Sequence, residues 1–317
     1  MAWKAWICGV LVGAGNLCGV VPAWGQAYCA LRDPVTMIYE AYPSADSYRS
    51  ITKTVGVDDR RAIGEKLPFT IHFDELGRHT LYVALEDGKP IGLVHVRSER
   101  GRYGLTEIAW SLGLDMTIQD VRIQRTRDAE MRRTLDGSLR ERLRGHTIES
   151  LQDQLPAAES VEHADVIRRS AAKTLVVTDH VWRDDLRPYQ AIVMAESQWP
   201  DMRLDLQPME VDQGAITEDS GLQKPIIAWR VRSADENDLG VLAWSAWSLD
   251  ERSADIWWFF KEDGSLQHVD LRRVRGDDVR SAFNQNHAGQ KSSDACATAV
   301  GVATNEMSNA VAPRLGY

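Results

Sequence analysis

Short apolar-rich runs recur along the chain: His79–Leu85, Ile91–Ser98, Leu105–Leu112 and Gln119–Gln124. Each is the length of a strand, and polar or glycine-containing breaks separate them. Glu86-Asp87-Gly88-Lys89 joins the first two as a hairpin turn, so the four runs predict a small antiparallel sheet. Asp33-Pro34 opens a short helix with Val35, Ile38, Tyr39 and Tyr42 on its apolar stripe. Ile51–Val57 reads as a strand, Asp58-Asp59 caps a second short helix, and the alternation in Phe69–Phe73 predicts a half-buried strand. Beyond the sheet the period lengthens. Met131, Leu135, Leu139 and Leu143 stand four apart before Gly145, which predicts a helix over 128–144. Ile167, Ala171, Thr174, Leu175, Thr178 and Val181 share one face of a helix over 166–182.

The pattern returns at a shift of 148 residues: Gly92 falls on Gly240, Ile108 on Ile256, Trp110 on Trp258, Val121 on Val269 and Arg125 on Arg273, with no gap. A fixed offset held this long predicts duplication of one structural unit. The second unit starts near Asp185 with a helix from Pro188 to Trp199 and continues through a polar loop over Met209–Gln223. Strands follow at Ile226–Arg232, Gly240–Leu249, Asp255–Phe260 and Leu266–Arg272. Five tryptophans lie between Trp229 and Trp258, where alternate positions of a sheet bury them. Residues 284–317 are small and polar and read as a disordered tail. The expected fold is therefore α+β: two tandem copies of a small antiparallel sheet flanked by helices, the second copy incomplete. The expected division is 28–183 and 184–283 after a leader over 1–27.

The leader is read from Lys4, the small and apolar stretch Ala5–Ala23, and Gly25-Gln26-Ala27 as a cleavage site. It predicts an exported, periplasmic-type protein, with a retained membrane anchor as the alternative. The 317 residues carry a net charge of -9, and removing Lys4 with the leader takes it to -10. That balance excludes a general nucleic-acid binder. Of four cysteines, Cys8 and Cys18 leave with the leader. Cys29 and Cys296, near opposite ends, are expected to stay unpaired, since nothing in the sequence fixes either one, with a disulfide between them in an oxidising compartment as the alternative. The eight histidines include His72 and His79 around Asp74, but no helix-borne H-E-x-x-H accompanies them, so no metal is expected. There is no G-x-S-x-G elbow, P-loop or G-x-G-x-x-G.

Asp87-Gly88-Lys89-Pro90-Ile91-Gly92, the turn Gly101-Arg102-Tyr103-Gly104, and the paired segments Asp115–Val121 and Asp263-Gly264-Ser265-Leu266-Gln267-His268-Val269 occur in a telling order. Together they resemble the FMN-binding domain of periplasmic redox flavoproteins of the RnfG and NosR type. The resemblance covers about 30–182 directly and about 185–275 through the repeat. It implies FMN as cofactor, electron transfer as role and a membrane redox complex as partner. Two family features differ. The E-T-P-G loop is replaced by Gln124-Arg125-Thr126-Arg127-Asp128, and the S/T-G-A-T acceptor motif by Ser170-Ala171-Ala172-Lys173-Thr174. Lysine cannot form the phosphoester, and Thr174 sits one residue, about 100°, further round the helix. The resemblance therefore implies non-covalent FMN at Gly101, Tyr103, Gly104, Arg169, Ser170, Lys173 and Thr174. Arg169 and Lys173 would meet the phosphate from one helical face and Tyr103 would cover the ring. The alternative for the basic residues is a solvated helix face, and for the protein a cofactor-free scaffold or binding module that keeps the fold.

Overall fold

Two five-stranded antiparallel sheets, each covered by helices, hold nearly all of the buried apolar side chains. The structure, a computed structural model, describes residues 34–217, 220–276, 279–281 and 295–311. The first sheet runs in chain order through β1 (Ser47–Val55), β2 (Gly77–Glu86), β3 (Lys89–Gly101), β4 (Gly104–Leu112) and β5 (Ile118–Arg125). The second comprises β6 (Leu204–Met209), β7 (Leu222–Ser233), β8 (Asp238–Leu249), β9 (Arg252–Phe260) and β10 (Leu266–Arg275), also in chain order. The Asp87-Gly88 turn forms as read: Glu86 pairs with Lys89, and both turn residues have positive φ, 51° and 75°. That is the primed geometry that matches the twist of a two-residue hairpin.

Helices among the described residues are α1 (Val35–Ala41), α2 (Val57–Gly64), α3 (Ala129–Thr134), α4 (Arg140–Leu143), α5 (Ile148–Leu151), α6 (His163–Val181), α7 (Arg183–Gln198) and α8 (Ala295–Val311), with a further helical segment at 279–281. Sheet one is packed by α6 on one face, with Leu93, Trp110, Val121, Ala171 and Leu175 in a common core. Its other face, with Val94, Val96 and Ala109, receives Ile38 of α1. Sheet two repeats this. Met194 and Ala195 of α7 cover Trp229, Trp244, Trp257 and Phe259. Ala303, Met307 and Ala310 of α8 cover Trp247, Trp258 and Phe260. All five tryptophans of this stretch are buried, as alternation predicts.

The 148-residue shift is visible in the pairing. Trp110 faces Val121 as Trp258 faces Val269, and Gly101 faces Gly104 as Leu249 faces Arg252. The register slips by one at the next strand: Gly92 faces Ala84, whereas Gly240 faces Val231 rather than Arg232. Among the described residues of the second copy, the helical residues 279–281 fall at the repeat's shift on α3, and no counterparts of α2, α4 and α5 are seen.

Several sequence expectations change. Residues 295–311 form α8, a helix docked on sheet two, where a disordered tail was expected. It buries a methionine and several alanines with few charges to mark a periodic face. Residues 284–294 and 312–317, the leader, Cys29 and the side chain of Cys296 lie outside the described residues. Phe69–Phe73 is not a strand: it leads into a short 3₁₀ turn at Phe73–Glu75, with Phe69 and Ile71 buried. The helix over 128–144 is interrupted at Gly137, whose backbone (φ -72°, ψ -153°) is non-helical. Helix α7 starts at Arg183, so Pro188 lies inside it. Strand β6, an edge strand containing Pro208, carries too short a pattern to be read.

Candidate functional site

Strand β3 presents His95, Arg97 and Glu99 on one face, and α6 lays Arg169, Lys173 and Thr178 against them. A period of two on the strand and of three to four on the helix bring these positions into register. The 3₁₀ turn adds Glu75. Lys173 Nζ donates to Glu75 Oε1 at 2.8 Å and lies 3.1 Å from Glu99 Oε2. Arg97 Nη2 donates to Glu75 Oε2 at 2.7 Å. Arg169 Nε donates to Glu99 Oε1 at 2.9 Å, and its other nitrogens donate to the carbonyls of Ala158, Ser160 and Arg100. All five charged side chains are buried. Burial alone would raise the Glu75 carboxyl, but Arg97 and Lys173 outweigh it and hold it below its ordinary value.

Two histidines extend this seam. His79 Nε2 bonds the Glu75 carbonyl at 2.7 Å, and His95 Nδ1 bonds Thr178 Oγ1 at 2.7 Å. Burial, reinforced by the Arg97 charge, pushes His79 down to about 4 and His95 well below its ordinary value. Both are neutral in the fold, so the unfolded chain binds protons first as the pH drops below about 6.5. Stability is therefore full above that pH and declines as the pH falls toward 4, by roughly 3 kcal/mol from His79 alone. Urea midpoints measured from pH 7 to 4 should show this decline, and His79→Gln should flatten it. A midpoint that holds steady across the interval would contradict the buried neutral histidine.

The residues read as a flavin site lie at the β3–β4 turn and on the buried face of α6 beside it. Gly101 and Gly104 close β3 onto β4, and Gly104 has a φ of 107°, a conformation that favours glycine. Tyr103 stands at the tip of this turn, 60% exposed, with only the Arg102 guanidinium over its ring. Arg169 touches the base of the turn through the Arg100 carbonyl, but its charge is engaged by Glu99. Ser170 Oγ accepts from Trp110 Nε1 at 3.0 Å. Thr174 is 0% exposed and its hydroxyl has no hydrogen-bond partner. Arg169 and Lys173 do share a face, yet that face is neither solvated nor open: it is the inside of the lobe.

An open cavity lies elsewhere, between the two lobes, with a volume of about 670 Å³. Met116 from the β4–β5 turn, Leu175 of α6, Met194 of α7 and Trp257 of β9 form apolar walls. Gln190, Asp179 and Arg273 supply polar groups. Met116 and Arg273 have positive φ, 68° and 51°, so two wall residues are held in a conformation that costs non-glycine residues energy. Asp179 is a hub beside the cavity. Arg183 Nη2 donates to it at 2.9 Å, and Arg273 Nη2 lies 2.7 Å from Oδ1 in a close ion pair without hydrogen-bond alignment. Lys66 Nζ is 3.9 Å away. Burial would raise the Asp179 carboxyl, but Arg273, Arg183 and Lys66 hold it low. Arg273 also pairs with Asp255, and Arg187 stacks over Trp244 at 3.0 Å from the ring centroid. The sequence gives no signal for this grouping beyond the Arg125–Arg273 match in the repeat, because the cavity depends on how the two lobes pack. Among the described residues no cluster of metal-ligating side chains occurs, and no helix is long and apolar enough to cross a membrane. Comparison with protein-family models, curated proteins and solved structures finds no match to this chain.

Proposed function

We propose that this chain is an exported, cofactor-free binding module, a duplicated framework of the FMN-binding type that does not carry flavin at its first lobe. The state of Lys173 supports this most directly. In the resembled family its position is the hydroxyl that accepts flavin. Here its ammonium is bonded to Glu75 and close to Glu99 inside the lobe. A phosphate dianion arriving there would have to displace two carboxylates from a site closed to water, at a large desolvation cost. The hydroxyl of Thr174, the nearest substitute acceptor, is buried as well. The cavity between the lobes is the better ligand site: it is concave, with apolar walls at Met116, Leu175, Met194 and Trp257 beside polar groups such as Gln190, Asp179 and Arg273. Export follows from the leader, and the acidic balance suits a protein free of nucleic acid.

The reading is tested by purifying the exported form and recording its visible absorption before and after denaturation. The expected protein is colourless, with a denatured mass equal to that of the chain without its leader. Flavin colour that stays with the denatured chain would sink the proposal. So would reversible FMN binding that is lost in both Lys173→Met and Tyr103→Ala, since that would restore the flavin site on the first lobe.

A further inference from the structure

We propose that an extended polypeptide segment of a partner enters the cavity between the lobes and pairs with the free edge of β10 as a further strand of sheet two. This rests on the binding-module reading and deepens it by assigning the ligand's class.

Five consecutive residues, Asp270 to Val274, line the cavity. Neighbouring side chains of a strand point to opposite faces, so what the five share is the strand's edge. β10 is an outer strand of its sheet and pairs with β9 alone. The repeat shows which of its backbone groups face outward. Leu271 pairs with Ile256 as Ile123 of β5 pairs with Ile108. In the first lobe the Ile123 carbonyl accepts from Arg132 Nη1 at 2.9 Å, so it points away from β4. An antiparallel residue turns its N–H and C=O to the same side, so Leu271 offers one donor and one acceptor to the cavity. The first lobe closes this edge with its own chain. Besides the Arg132 bond, the Gly145 amide donates to the Ile118 carbonyl at 2.8 Å, and the Ile118 amide donates to the His146 carbonyl at 2.9 Å. The second lobe leaves its edge open. Arg280, which the shift of 148 places on Arg132, is exposed at the cavity. Among the described residues no hydrogen bond reaches the outward side of Leu271.

The surroundings select the occupant. A strand edge in open water invites another sheet, and bulges and charges blunt it. β10 is bulged where its pairing skips from Arg272 to Arg275, with Arg273 at a φ of 51°. Met116, Leu175 and Met194 wall the same volume of about 670 Å³, which leaves no room for the sheet of a second copy with its covering helices. A single extended chain is slender enough. It lies about 4.8 Å from the strand it joins, and about 16 Å of it spans five residues. Charge adds no preference, because Asp179 is paired with Arg273 and Asp270 with Arg272. Main-chain bonds therefore supply the affinity, and Met116, Leu175, Met194 and Trp257 receive apolar side chains at alternate positions.

The test adds the peptide acetyl-Lys-Thr-Val-Thr-Val-Thr-Lys-amide to the whole exported chain. The expected result is saturable binding, with a Leu271 amide that exchanges quickly in the free chain and slowly at saturation. Two N-methylated forms of the peptide read the geometry, because alternate amides of a strand face its partner. Methylating one set, the two valine nitrogens or those of two threonines, should weaken binding at least about tenfold, the worth of one hydrogen bond. Methylating the other set should leave it unchanged. Val193→Trp, which adds bulk to the cavity from α7, should abolish binding. Thermal unfolding reports whether that variant is folded, and the methylated pair needs no variant. No saturable binding, or equal affinity of the two methylated forms, overturns the strand pairing. So does a Leu271 amide already protected in the free chain, which would show the edge covered by the chain's own residues or by a second copy. Each of these failures leaves the cofactor-free reading standing, since flavin absorption alone decides that.

Discussion

Exchanging Glu75 for glutamine lowers the stability of the first lobe by about 3–5 kcal/mol, the range for breaking a buried charge pair and stranding its partners. The seam holds three cations, Arg97, Arg169 and Lys173, on two carboxylates, Glu75 and Glu99. Removing Glu75 leaves three buried cations on Glu99 alone, and Arg97, whose Nη1 already has no acceptor, loses its ion-pair partner. A loss of that size is a large part of the 5–15 kcal/mol by which ordinary domains are stable. Lys173→Met should cost far less. It leaves Arg97–Glu75 and Arg169–Glu99 as two balanced pairs, and its own loss should cost less than about 1 kcal/mol. In the double variant, removing both charges restores the original balance and should recover about half of the Glu75→Gln loss. Denaturant melts of the three variants check this. If Lys173→Met costs as much as Glu75→Gln, Lys173 is not the excess cation. Its role would then have to be sought in what it binds.

That seam also marks where the sequence stops being informative. The strands and the long helix were legible because their signal is local: strand-length apolar runs divided by polar or glycine-bearing breaks over β2 to β5, and one apolar helical face over α6. The repeat made the second sheet legible through its copy. The start of the helix over 128–144 was legible as well, and there Asp128 Oδ1 accepts from Glu130 N at 3.0 Å. Arg169 and Lys173 look like any cationic helix face, because what makes them internal is Glu99 and Glu75, 70 and 98 residues distant along the chain. A basic pair four apart cannot reveal whether carboxylates or water will meet it. Helix α8 was missed for the converse reason: its alanines and glycine carry little amphipathic contrast, and only Met307, Ala310 and the Trp258 face beneath them make it a docked helix. The cavity needs both lobes at once, and no window of sequence contains it.

Gly92 and Gly240 occupy the same slot of the repeat, and substituting alanine at each should be costly for different reasons. At Gly92 an added Cβ falls far inside van der Waals contact with the Tyr42 ring. That ring is anchored: its hydroxyl donates to the Leu112 carbonyl at 2.6 Å and lies 3.2 Å from that of Leu93. Burial raises the phenol above its ordinary range, so it stays a neutral donor. Gly92→Ala must therefore push Tyr42 off both carbonyls, at an expected cost of about 2–4 kcal/mol. The clash is with a side chain, so it can be relieved. In a Tyr42→Ala background the added cost of Gly92→Ala should fall below about 1 kcal/mol, a coupling that a double-mutant cycle measures directly. At Gly240 the obstruction is backbone. Its φ is 147°, and a Cβ there meets the Phe260 carbonyl across the β8–β9 pairing. No neighbouring side chain can yield, so Gly240→Ala should cost at least about 3 kcal/mol and resist rescue by truncating nearby residues. Should Gly92→Ala remain as costly without Tyr42, the slot would be a backbone constraint in both copies, inherited with the strand rather than acquired separately by each lobe.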